Sequence, residues 1–204
     1  MGKATALLHR EHDVAEEDVL RANLYRLLAH VLRQAPKQSD LDMFAAMDGD
    51  ATPIGEAVGA LARIAGKIRP ETIDREYHDL FIGLGRGELV PYGSYYLTGF
   101  LNEKPLARLR TDMARLGIER RVEVREPEDH IAAECEMMAG LILGDFGEAF
   151  DLDDQRDFFK AHVAPWARHF FTDLEAARSS VFYAGVGRLG AAFMDVEEEA
   201  FSML

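Results

Sequence analysis

A handful of residue groups in this chain have the type and spacing that chemistry requires. His78-Asp79 and Asp129-His130 pair imidazole with carboxylate, and His130 stands four residues before Glu134, on one face of a helix. A carboxylate-bridged dimetal site needs a Glu-x-x-His pair on two helices, and a zinc protease needs His-Glu-x-x-His. Neither pattern occurs, so no metal and no other cofactor is expected. Gly83-Leu84-Gly85-Arg86-Gly87 has the glycine density of a phosphate loop but lacks its lysine and spacing, and Glu88 breaks the dinucleotide variant. A turn accounts for it. Ser94 lies in Tyr92-Gly93-Ser94-Tyr95-Tyr96, outside any nucleophile-elbow pattern. Cys135 is the only cysteine and sits in an apolar helical stretch. It forms no intramolecular disulfide, supports no multi-cysteine zinc site and reads as a buried, inert thiol. What remains is Glu126-Pro127-Glu128-Asp129-His130. Proline followed by acids suits a helix start, where the helix dipole favours negative charge. The same carboxylates are acceptors for a guanidinium group. The chemistry on offer is binding, and the protein is expected not to be an enzyme.

The elements that must position these residues are helical. Strand-like alternation appears only at Arg121-Val122-Glu123-Val124, too isolated to build a sheet. Val19, Leu20, Leu24, Leu27, Leu28, Val31 and Leu32 recur at helical spacing and predict a helix over about 16–34. Ser39 with Asp42 resembles a capping box, Thr52-Pro53 an N-cap followed by proline, and Pro70 and Pro105 open further helices. Five glycines and prolines between Gly83 and Gly93 interrupt the pattern. Apolar periodicity then resumes over 126–146, 153–163, 164–177 and 180–203. The expectation is an all-α fold of eight to ten helices in a single compact domain over residues 1–204, with two helical subdomains joined by a hinge as the open alternative. The hinge candidates are 83–93 and 117–127, and 1–15 is expected to be flexible.

The formal net charge is −13, and 48% of residues are hydrophobic. An acidic chain gains little from phosphate counterion release, so nucleic acid and anionic membrane surfaces are excluded as partners. No apolar run approaches the ~18 residues that span a bilayer, and the N-terminus lacks a secretory pattern. A cytoplasmic protein is expected. Eleven acids and one arginine fall between Glu126 and Asp157, so most of the net charge is concentrated there. Solvated helix faces explain most such runs; attraction of a cationic ligand is the sharper alternative.

Four patterns occur in order: Glu76-Tyr77-His78-Asp79-Leu80-Phe81, Pro91-Tyr92-Gly93-Ser94, Glu126-Pro127-Glu128-Asp129-His130, and His162-Val163-Ala164-Pro165-Trp166. Together they resemble the TorD/DmsD-type redox-enzyme maturation chaperones, over roughly residues 16–189. That resemblance implies the family's all-α fold and a cytoplasmic chaperone. Its partners would be the twin-arginine signal peptide and the apo-enzyme of a molybdenum-cofactor oxidoreductase, whose cofactor insertion it assists before export. The positions matching the family's peptide-binding elements are Tyr77, Leu80, Phe81, Pro91, Tyr92, Ser94, Glu126, Pro127, Asp129 and His130. Gly93 departs from the pattern, since many members carry an acid there. In this reading Glu126 and Asp129 face the arginines, with Pro127 turning Asp129 outward. Tyr77, Leu80 and Phe81 line an apolar groove, and His130 orients Asp129 or touches peptide backbone. The oligomeric state is open between monomer and domain-swapped dimer. A scaffold for the folded enzyme body and a small nucleotide-binding hydrolase stand as alternatives.

Overall fold

The computed structural model describes residues 15–120, 124–147 and 149–204. The stretch expected to be flexible lies outside them up to residue 14, as does most of the 121–124 alternation. Among the described residues ten α-helices follow one another: α1 (Glu16–Arg33), α2 (Gln38–Ala45), α3 (Pro53–Ala65), α4 (Pro70–Tyr77), α5 (Gly93–Thr98), α6 (Lys104–Arg115), α7 (Ile131–Leu143), α8 (Leu152–Phe158), α9 (Ala167–Ala176) and α10 (Phe182–Ser202). Two of them run on into π-helical turns, His78–Ile82 after α4 and Phe159–Val163 after α8. Such turns are frequent at functional sites. No strand occurs among the described residues; the one β-type contact is an isolated antiparallel bridge between Tyr92 and His130.

Two long-range seams organise the molecule. Along the first, α1 packs on α7, the most thoroughly buried helix, whose sides are apolar nearly all round. Along the second, α10 packs between α9 and α3. There α9 comes close because α10 presents glycines: a Cβ on Gly190 would lie 2.2 Å from the Phe171 ring. A buried carboxylate ties the seams together, as Glu197 of α10 accepts hydrogen bonds from Arg21 and from the Tyr25 hydroxyl of α1. One compact domain results, not two subdomains. Of the two connections singled out as hinges, 83–93 is fastened to α4's π-turn by Glu88 N–H to Asp79 O and Leu89 N–H to Leu80 O.

Local caps agree with the sequence in part. Thr52 Oγ1 accepts the Gly55 N–H at 3.0 Å, and Pro53 and Pro70 stand in first helical turns. The Ser39 start is corrected: α2 begins at Gln38, and Asp40 rather than Asp42 closes the cap by accepting the Lys37 N–H. Asp42 instead accepts from the Gln38 side chain one turn earlier.

Candidate functional site

Pro91-Tyr92-Gly93 and Asp129-His130-Ile131 are stitched together, backbone to backbone. The Gly93 N–H donates to Asp129 O at 2.8 Å, and the Ile131 N–H donates to Pro91 O at 3.0 Å. The Asp129 carboxylate adds a third tie, as its Oδ2 accepts the Ser94 N–H at 2.8 Å and caps the first turn of α5. Asp129 is 2% exposed. The expectation that Pro127 turns it outward is therefore corrected: the capping bond draws it inward. Its Oδ1 and the Ser94 hydroxyl are buried with no hydrogen-bond partner among the described residues. Pro91 and Ser94 are buried as well.

His130 makes no hydrogen bond to Asp129, which corrects the expectation that it orients that carboxylate. Its Nδ1 accepts the Ala132 N–H at 3.1 Å and caps α7, while its ring meets the edge of Tyr92 at 5.0 Å. Burial, with a contribution from the Arg33 charge, lowers its pKa to about 4. The imidazole is neutral at physiological pH, and the 4.0 Å approach of its Nε2 to Glu126 is not a charged pair.

Beneath this junction lies the Trp166 indole. Its Nε1 donates to Glu134 Oε2 at 3.0 Å and to His162 O at 2.9 Å. Burial first, then the Asp129 charge, pushes the Glu134 carboxyl well above its ordinary range, and the Trp166 bond opposes them. A Cβ at position 93 would lie 2.9 Å from Trp166 Nε1. A side chain at this position would collide with the indole, which occupies the space.

The aromatic-x-x-Leu-Phe element braces the core. Leu80 is 0% exposed and cannot line an open groove, which corrects that expectation. Tyr77 and Phe81 are half-buried, and both rings pack against Tyr183 of α10. The Tyr77 hydroxyl donates to Arg33 O at 2.9 Å. Glu76, whose role the sequence reading missed, accepts the Val181, Phe182 and Tyr183 N–H groups and so caps α10. Glu88 does the same for Arg178 and Ser179, and those bonds hold its pKa below the usual carboxylate range against the opposing effect of burial. Only the fold brings these partners together, about a hundred residues apart in the chain.

A cleft of about 910 Å³ opens along the α1–α7 seam, beside the connection that carries the acidic motif. Glu126, Pro127 and His130 stand on its wall, and Ala29, Ala133 and Met137 form its apolar floor. Tyr77, Leu80, Phe81, Pro91, Tyr92, Ser94 and Asp129 do not line it. Tyr77 and Tyr92 stand just behind the wall. Burial, together with the neighbouring Glu126 charge, pushes both phenols up to about 12. The Glu126 side chain is 60% exposed, whereas Glu128 is held by Arg110 at 2.8–2.9 Å. Burial raises the Glu128 pKa, and the Arg110 bond and charge more than offset this. Other acids of the run are also matched, Glu136 by Arg33 and Asp145 by Arg26. The acidic run is therefore less open to a ligand than its charge suggests, and Glu126 is the motif carboxylate that faces the cleft without a close cationic partner among the described residues. Among those residues no group of three or more histidines, cysteines or acids is placed to hold a metal, and no helix is long and apolar enough to cross a membrane.

The family model described as nitrate reductase delta subunit matches residues 47–172, more than half of the chain. Curated relatives carry the name chaperone protein TorD. That of Vibrio atlanticus is 23% identical over 88% of this chain and 93% of its own. That of Aliivibrio fischeri is 24% identical over 87% and 92%, and that of Photobacterium profundum 28% identical over 60% of each. Among solved structures, a protein of Archaeoglobus fulgidus assigned to redox enzyme maturation superposes with a TM-score of 0.55. It is 23% identical and covers 86% of this chain and 94% of its own, which speaks for the fold.

Proposed function

Since the chain belongs to the nitrate reductase delta subunit family, which takes in the TorD chaperones, we propose that it is a cytoplasmic chaperone for a molybdenum-cofactor oxidoreductase, holding the apo-enzyme by its twin-arginine signal peptide until the cofactor is inserted. The observation that carries this reading is the placement of Glu126 at the edge of an apolar-floored cleft of about 910 Å³. A twin-arginine leader has two guanidinium groups followed by an apolar segment. It needs a carboxylate for the first feature and an apolar channel for the second. Glu126 provides the carboxylate, and the α1–α7 seam provides the channel.

The ten motif residues then divide by what they touch. Glu126, Pro127 and His130 meet the leader. Asp129, Ser94, Pro91 and Tyr92 hold the wall at its angle, and Tyr77, Leu80 and Phe81 brace the wall from the core. Neutral His130 offers a contact without charge, so the leader meets negative charge at Glu126 and not a cancelling pair.

Calorimetric titration separates this reading from recognition of the folded enzyme body. A synthetic leader with Arg-Arg should bind, and its Lys-Lys counterpart should bind more weakly, because an ammonium lacks the planar fork that pairs with a carboxylate through two bonds. Capture of leaderless apo-enzyme with no affinity for the leader would favour the enzyme-body reading instead.

A further inference from the structure

Arg33 is the last residue of α1, and its Nη2 stands 2.5 Å from Glu136 Oε2 on α7. The same guanidinium acts on the His130 ring, helping to keep it neutral, and on the Tyr77 phenol, which Glu126 pushes the opposite way. One arginine of this chain therefore occupies the corner of the cleft that Glu126, Glu136 and His130 line. Arg26 repeats the arrangement two turns away on the same seam, paired with Asp145 at 2.7 Å.

The corner already holds what a leader would bring, a guanidinium on a carboxylate. Both partners reach solvent: the Arg33 side chain is 36% exposed and that of Glu136 53%. Exposed pairs contribute little to stability, and exchanging one guanidinium for another preserves the charge-assisted hydrogen bond. Displacing Arg33 thus faces no large barrier. Adjacent side chains of an extended peptide leave on opposite sides, so two consecutive arginines reach two separate carboxylates.

We propose that Arg33 is an internal stand-in for a leader arginine: on leader binding it leaves Glu136, one leader guanidinium takes its place, and the other reaches Glu126. This rests on the leader-binding reading. It makes Glu136 a second recognition carboxylate and Arg33 a resident competitor. A peptide with a single cation satisfies only one of the two acids.

The test is calorimetric titration of a synthetic twin-arginine leader into wild type, Arg33→Ala, Glu136→Gln, the double variant and Arg63→Ala. Arg63 lies on α3 beside a separate shallow cleft and controls for net charge. Circular dichroism and melting curves confirm that each variant folds. Arg33→Ala should bind three- to tenfold tighter than wild type and Glu136→Gln more weakly. In the Glu136→Gln background the gain from Arg33→Ala should shrink to that of the control, which stays within twofold of wild type. An Arg33→Ala variant that binds no better, a full gain without Glu136, undiminished affinity in Glu136→Gln, or an equal gain in Arg63→Ala overturns the proposal. Wild type that fails to bind the leader removes the leader-binding reading and this proposal with it, whereas binding without the Arg33 effect removes this proposal alone.

Discussion

Asp129 and Glu126 are three residues apart and point in opposite senses, one into the protein and one into the cleft. That difference predicts distinct phenotypes. Asp129→Ala removes the cap on the Ser94 N–H and should cost about 1–2 kcal/mol in a urea unfolding curve. Asp129→Asn, which keeps a carbonyl acceptor, should retain most of it. Glu134 yields a pH prediction. Its folded pKa lies above the unfolded value, so the folded state binds more protons between the two. Stability from this group is complete below the unfolded pKa and declines as pH rises toward the folded one. Glu134→Gln keeps an acceptor for Trp166 Nε1 and should melt higher than wild type at pH 8, with the difference vanishing near pH 4. Melting temperatures across that range check it; equal melting temperatures at pH 8 refute it. The types of these residues were legible in the sequence, but their directions were not. Asp129 turns inward because of a backbone N–H 35 residues away, and no local pattern encodes that partner.

At the scale of elements, the periodic helices were the readable part. The extent of α1, the Thr52-Pro53 start of α3 and the apolar run of α7 follow from spacing and capping chemistry, but the α1 stripe is corrected at its start: Val19 and Leu20 are exposed, and Ala22, Tyr25 and Ala29 join Leu28, Val31 and Leu32 on the buried face. The π-turns after α4 and α8 did not announce themselves, because their sequences keep helical spacing while the hydrogen bonds slip by one residue. The capping of α10 by Glu76 was equally hidden, since donor and acceptor lie on α4 and α10, more than a hundred residues apart. Tight junctions between elements make Gly93 a sharp test. A methyl group there meets the Trp166 indole at 2.9 Å with backbone ties on both sides, so Gly93→Ala should destabilise by about 1–3 kcal/mol. Chemical denaturation with unchanged slope would register that loss; a shift below a few tenths of a kcal/mol would mean that the indole yields freely.

For the whole molecule, the all-helical class and acidic balance followed from composition and periodicity, while the cleft did not. It is a property of how α1 meets α7, and its charged rim pairs residues such as Arg33 and Glu136 that share no local motif. A net charge of −13 still acts at long range even where individual acids are paired. Association with a cationic leader should therefore slow as sodium chloride rises from 50 to 500 mM, and stopped-flow fluorescence should show a much smaller effect on dissociation. An association rate indifferent to salt would reduce the acidic run to solvated surface. Leader recognition turns on Glu126 as the carboxylate that meets the arginines. Titration of a twin-arginine leader into Glu126→Gln should show an affinity about tenfold or more below wild type, as the loss of a charge-assisted bond of roughly 1.5–3 kcal/mol implies, with an unchanged melting temperature. An affinity equal to wild type in the folded variant would contradict it.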